Sequence, residues 1–335
     1  MGLQSLLEQS QAIEKLCLID AREPAQGYHR PLFSAKEINA PYFGYNIDNA
    51  LWLQSNFQRL KASDNITLYP KTRVIALDNN EPERSLVELD TGSQLSAGLV
   101  IAADGRNSSL RQMQNISINE RIYDQYAFTF RIKHSRAQGS TSHEFYFPAG
   151  PLTLVPYQDK QSAVVWSFNA SDVQDFESLN QEQMANKLQR ACRGLLGNIT
   201  LLSQPHKIAI KTLKAHSLIA PRFILMAEAA HVLPAFGAQG LNTSLADIAV
   251  LAQCLDQQKD PANSATLKAY EKKRQSDINT RFTMTSGLNS ILCRQDFLAQ
   301  RLRTLGFTIL NTAQWPRLLL MNAGMRPLAH IGDRL

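Results

Sequence analysis

No two glycines in this 335-residue chain stand as G-x-G, so it has no G-x-G-x-x-G loop, the turn with which a strand–helix unit cradles a dinucleotide pyrophosphate. Cysteine is scarce. Cys17, Cys192, Cys254 and Cys293 are far apart in sequence, which excludes the paired spacings of a zinc site and fits a reducing, cytoplasmic setting. No run of eighteen apolar residues occurs, so no spanning helix is expected. The opening MGLQSLLEQSQ lacks the basic-then-apolar order of a secretory signal, and Leu6 stands where a myristoylation start needs Ser or Thr. There is no internal repeat and no low-complexity tract.

What remains is ordinary for a globular chain that can bury a large core: 44% hydrophobic and 19% charged residues. The net charge of +6 is mild, and no nucleic-acid partner is expected from it. The excess is uneven. Arg294, Arg301, Arg303, Arg317, Arg326 and Arg334 crowd the last stretch, where only Asp296 and Asp333 oppose them.

Hydrophobic periodicity predicts a short strand over 16–20 and a helix over 49–61, with Leu53, Phe57 and Leu60 at helical spacing. Strands are expected at 66–69, 73–77 and 85–89, then a Thr91-Gly92 turn and a buried strand at 99–103. Residues 126–168 read as a run of antiparallel strands. A helix over 178–196 follows, then strands at 207–210 and 223–226, and helices from 240 onward. This order predicts an α/β domain split around an antiparallel insert. The expected segments are 1–122, 123–215, 216–290 and C-terminal helices over 291–335.

Two segments carry chemistry. In the first, a buried strand runs into Asp104-Gly105, with Ser108 placed to cap a helix and Arg111 able to meet an anion. Ligands in open α/β sheets bind beyond the carboxyl ends of strands. An Asp-Gly pair alone reads as an ordinary turn, and the flanking residues are what favour a site. In the second, a strand over 223–226 ends at Glu228 and His231. Pro234, Gly237 and Gly240 then shape a tight loop that opens a helix over 241–255. A helix N-terminus offers free N–H groups and a partial positive charge, which suit an anionic ligand edge. His231 reads as loop support rather than as a proton carrier.

Together these segments resemble the paired signatures of the flavoprotein aromatic hydroxylase family, in particular its ubiquinone-biosynthesis hydroxylases. Gly44-Tyr45-Asn46-Ile47-Asp48-Asn49, Tyr123-Asp124-Gln125, Phe147-Pro148-Ala149-Gly150-Pro151 and Tyr270-Glu271-Lys272-Lys273-Arg274 extend the resemblance over nearly the whole chain. It implies a three-layer FAD-binding domain, an inserted antiparallel-sheet substrate domain and C-terminal helices. It also implies FAD as cofactor, NAD(P)H as reductant, and a prenylated phenol hydroxylated with O2. Glu228 would bond the ribityl chain. Pro234, Gly237, Gln239, Gly240, Leu241 and Asn242 would frame the ring, and Asp104, Gly105 and Arg111 would lie near the pyrophosphate and nicotinamide path.

Two departures qualify that picture. The family opens with the glycine loop, whereas the match here begins after it. An absent strand–helix unit and its following strand, on the order of 30 residues or more, open sheet edges and weak or no FAD binding are therefore expected. The family also has Gly-Asp where this chain has Ala227-Glu228. A second reading makes the chain a non-catalytic partner in a quinone-biosynthesis complex. The arginine-rich end, with Phe307, Ile309, Leu310, Trp315 and Leu318–Met321, is expected either to pack on the core or to rest peripherally on the inner face of a membrane.

Overall fold

The computed structural model describes residues 3–21, 30–233, 239–293 and 297–325. The chain forms two compact units. The first takes residues up to Thr67, Tyr123–Ile210 and Asn289–Met325; the second takes Leu68–Ile122 and Lys211–Leu288.

The first unit is built on a sheet. Its strands run in the order Leu32–Ser34, Lys15–Asp20, Thr141–Phe147, Gly150–Gln158, Gln161–Asn169 and the later part of Ile118–His134. Alternation along each strand divides the side chains between two faces. Phe145, Leu152, Trp166 and Phe128 stand side by side in register on one face. The helices Ala170–Glu177 and Gln181–Ala191 join that core through Phe176 and Leu188, both fully buried. Each such side chain contributes about 1.5–3 kcal/mol on burial. The helix expected over 178–196 forms as the shorter Gln181–Ala191, and a separate helix, Ala170–Glu177, precedes the expected span. Asn180 sets the start of Gln181–Ala191 by capping it, accepting from the Gln183 N–H at 2.9 Å.

The opposite face of the sheet holds an anomaly. Glu144 is only 6% exposed, beside Thr153 and Leu18 in register. Burial pushes its carboxyl up to about 7, against a smaller pull downward from a hydrogen bond with Tyr146. The Tyr146 ring in turn meets Phe307 of the helix Phe297–Thr312, edge to face, at 5.9 Å between centroids. The last helix, Gln314–Met325, is tied down by Arg317, which reaches Glu37 at 3.1 Å. Leu305, Ile309, Leu319 and Trp315 (67% exposed) face outward on these two helices. No described helix is long and apolar enough to cross a membrane.

The helix Asn49–Lys61 forms over the expected residues because Asp48 caps it, accepting from Ala50 and Leu51 N–H at 2.8 and 3.2 Å. Its apolar stripe of Leu53, Phe57 and Leu60 is exposed rather than packed. The strand expected at 66–69 is irregular chain. Pro70 follows it and offers no ladder donor, and Lys71 turns the backbone at φ 58.

The second unit holds a small sheet in which Val100–Ala102 runs parallel to Phe223–Leu225, with Ile219–Ala220 antiparallel beyond. Val100–Ala102 is an edge of this sheet among the described residues, and Ile101 is 43% exposed there. A separate meander, Val74–Asp78, Ser85–Leu89 and Gln94–Ala97, turns at Gly92 with φ 80. The helices Gln239–Leu255 and Ser264–Cys293 close the core through Val250, Leu251 and Tyr270, whose hydroxyl donates to the Leu225 carbonyl at 3.1 Å.

Candidate functional site

The parallel pairing of Val100–Ala102 with Phe223–Leu225 brings the two sequence motifs together, since both strands point their carboxyl ends the same way. Asp104 follows one end and Glu228 the other. Arg106 spans them. Its Nε and Nη2 donate to the two Glu228 carboxylate oxygens at 3.1 and 2.9 Å, a forked pair left partly exposed.

Asp104 accepts from the Leu110 N–H at 3.2 Å and thus steadies the start of the helix Ser109–Met113. Ser108 caps that helix, as its position in sequence predicts, accepting from the Arg111 N–H at 2.9 Å. Gly105 sits at φ 85 with nothing within 4 Å of where a β-carbon would stand, so backbone conformation rather than space requires glycine there. Arg111 is buried. It donates to the Ala229 carbonyl at 2.8 Å and to the Arg106 carbonyl at 3.2 Å, so it braces one motif against the other.

Ala227 adopts φ 53, where an L residue with a β-carbon is strained by about 1–2 kcal/mol. What holds it is Asp247 on the helix Gln239–Leu255. Oδ2 of that carboxylate accepts from the Ala227 N–H at 2.8 Å and meets His231 Nε2 at 2.7 Å. Arg274 Nε reaches Oδ1 at 2.6 Å. Burial would raise the Asp247 carboxyl, but its bond and charge pairing with His231, the Arg274 guanidinium and the Ala227 N–H together hold it below the usual carboxylate value. Asp247 is therefore ionised and acceptor-only, which puts the His231 ring proton on Nε2. That engaged ring is a support.

From Arg274 the pairing continues to Asp277 at 2.7 Å and from Asp277 to Arg281 at 2.9 Å. Arg281 donates to the Gln239 side-chain oxygen. Gln239, Gly240, Leu241 and Asn242 form the first turn of their helix, with Leu241 61% exposed. Pro234 and Gly237 lie outside the described residues. No group of three or more His, Cys, Asp or Glu suited to a metal exists among the described residues.

Asp247, Asp277, Arg281 and Arg106 were not singled out from sequence, and Arg274 entered only through the resemblance. A signal was present. Asp247 falls on the buried stripe Thr243, Ala246, Val250 and Leu251, where a lone charge demands a partner. Arg274, Asp277 and Arg281 repeat at helical spacing with alternating sign.

Comparison with known proteins adds the following. The family model described as FAD binding domain matches residues 60–284. The 3-demethoxyubiquinol 3-hydroxylase of Escherichia coli is 28% identical over 264 residues, 77% of this chain and 66% of its own length. Ubiquinone hydroxylase UbiL of Rhodospirillum rubrum is 28% identical over 293 residues, 86% of this chain and 67% of the relative. The chain thus spans about two thirds of the length of these relatives. Among solved structures, Klebsiella pneumoniae HpxO complexed with FAD and uric acid superposes with a TM-score of 0.76 at 17% identity, covering 98% of this chain and 85% of that one. The p-nitrophenol 4-monooxygenase PnpA of Pseudomonas putida gives 0.76 at 15% identity, covering 95% and 82%. At these identities the structures show a common fold, that expected from the two motifs.

Proposed function

The chain belongs to the FAD binding domain family, and from that premise we propose that it is an FAD-dependent monooxygenase that hydroxylates the phenolic ring of a prenylated ubiquinone precursor. The single observation that carries this reading is the meeting of Glu228 and the Asp104–Arg111 segment at the ends of two parallel strands. The residues present suit the cofactor by their chemistry. Glu228 offers acceptor oxygens for polyol hydroxyls. The first-turn N–H groups of Gly240, Leu241 and Asn242 offer donors and positive potential to an electron-rich ring edge. Bound FAD would supply the redox chemistry, with NAD(P)H as the electron source and O2 as the oxygen source. The protein's own part is positional. Arg106 would share Glu228 with the ribityl chain, Asp247 and His231 hold the loop that carries Glu228, and Arg111 keeps the two motifs in register.

Titration of the intact chain with FAD, followed by flavin fluorescence, tests this. Saturable binding is expected, because Glu228 and the first-turn N–H groups offer partners to the ribityl chain and the ring edge. Glu228→Ala should weaken it about 10- to 100-fold, the worth of a charge-assisted hydrogen bond. No uptake of flavin at any concentration would remove the enzymatic reading and favour a purely partner-binding role; unchanged affinity in Glu228→Ala would remove Glu228 from the site.

The prenyl tail of such a substrate resides in the bilayer, and the C-terminal helices suit its surface. Leu305, Ile309, Trp315 and Leu319 are exposed, and residues 297–325 contain Arg301 and Arg303, besides Arg317 paired with Glu37, but no acidic residue. The protein is expected to float with anionic liposomes at low salt, less at high salt, and to lose binding in a Trp315→Ser/Leu319→Ser double variant. Sedimentation free of lipid under both salt conditions would exclude the peripheral-membrane role.

A further inference from the structure

The two arms of the proposed flavin site flank residues 234–238. One arm, Ala227–His231, carries Glu228. The other is the first turn of the helix Gln239–Leu255. A single buried chain of side chains links them. At one end Asp247 Oδ2 takes the Ala227 N–H and the His231 ring at 2.8 and 2.7 Å. Asp247 Oδ1 takes Arg274 Nε at 2.6 Å. Arg274 also donates to the Thr243 carbonyl at 3.2 Å and to Asp277 at 2.7 Å. Asp277 takes Arg281 Nε at 2.9 Å, and Arg281 ends the chain on the Gln239 side-chain oxygen. Thr243 closes the same turn, its hydroxyl donating to the Gln239 carbonyl at 2.7 Å.

The sequence of charges is Asp, Arg, Asp, Arg, neutral in sum, with His231, Asp247, Arg274, Asp277 and Arg281 all buried. We infer that this chain is a clamp that fixes the spacing of the two arms, and that Asp247 and Arg281 are positioning residues of the site. The inference rests on the flavin reading for its purpose, though not for its mechanics. Two observations and one physical argument point the same way. The chain terminates at both ends on the arms themselves, on a backbone N–H that shapes the Glu228 turn and on the residue that starts the helix. Its first contact holds Ala227 in a backbone conformation unfavourable to alanine. Apolar packing of similar volume is often at least as stabilising as a buried ion-pair chain, but it lacks direction. A chain of directed hydrogen bonds sets distance and angle.

Hydrogen exchange on the full-length protein tests the clamp without any ligand. The variants are Asp247→Asn, which keeps the shape and removes the charge, and Arg281→Met, which releases only the Gln239 end. Leu251→Ala is the control; it lies on the same helix, is buried in the apolar core and is outside the chain. Asp247→Asn should speed exchange of the hydrogen-bonded amides of Ala227, Ala230 and residues 243–247 about tenfold or more relative to the control, compared at equal distance below each variant's Tm. Arg281→Met should release 243–247 and leave Ala227 and Ala230 protected. If both variants loosen the unit no more selectively than Leu251→Ala, the chain is plain core and the clamp is wrong. Should Asp247→Asn not fold, Arg281→Met and Gln239→Ala decide the question alone. FAD titration of Glu228→Ala, Asp247→Asn and the double variant then reads purpose. Strongly non-additive losses mean that Asp247 acts through Glu228, and additive losses would overturn that coupling. A wild type that takes up no flavin would sink the flavin reading while leaving the exchange result intact.

Discussion

Arg274→Ala should cost about 3–5 kcal/mol of unfolding free energy, because it leaves two buried carboxylates, Asp247 and Asp277, without their shared counter-ion. That is a large part of the 5–15 kcal/mol typical of a folded domain, so the variant is expected to be partly unfolded at 37 °C. Urea denaturation of wild type and variant measures it; a loss under about 1 kcal/mol would mean that the network is solvated and not a buried chain. The network should also set acid sensitivity. Asp247 titrates below its ordinary value of 3.8 when folded. Its stabilisation is therefore complete above that value and drains away as the pH falls through the lower folded one.

Glu144→Gln is expected to act in the opposite sense and on the alkaline side. The folded carboxyl holds its proton up to about pH 7, whereas the unfolded one releases it near 4.5. Stability from this group is thus present below 4.5 and lost as the pH rises through 7, and above that the wild type carries a penalty of about 3 kcal/mol. The amide keeps the shape and carries no charge at any pH. Melting curves should nearly coincide at pH 4 and separate at pH 8, with Glu144→Gln the more stable by up to about that amount. A difference between the two proteins that is flat with pH would show that Glu144 is ionised and satisfied in the fold.

Local signals were read well from the chain. Asn49–Lys61 is bounded by a capping aspartate, and the strands between 126 and 168 alternate visibly. The Ser108 cap and the strand ends at Asp104 and Glu228 followed from residue types and their spacing. Non-local facts were not legible. Nothing in residues 15–20 announces that this strand pairs in parallel with Thr141–Phe147, more than a hundred residues on. The 66–69 stretch has strand-forming residues but ends in a proline and finds no ladder. The partnership of Asp247 with Arg274 depends on two helices packing against each other. Period alone reports that a charge is buried, and not what neutralises it.

Among the described residues, the strand Val100–Ala102 has its remaining backbone groups on the side away from Phe223–Leu225, with Ile101 exposed beside them. Such an edge is a template for any extended polypeptide that reaches it. In a concentrated or warmed solution it is the seam along which copies of the chain would begin to add to one another. A lysine at position 101 would act as a gatekeeper there, placing a hydrated charge where a second strand would have to lie.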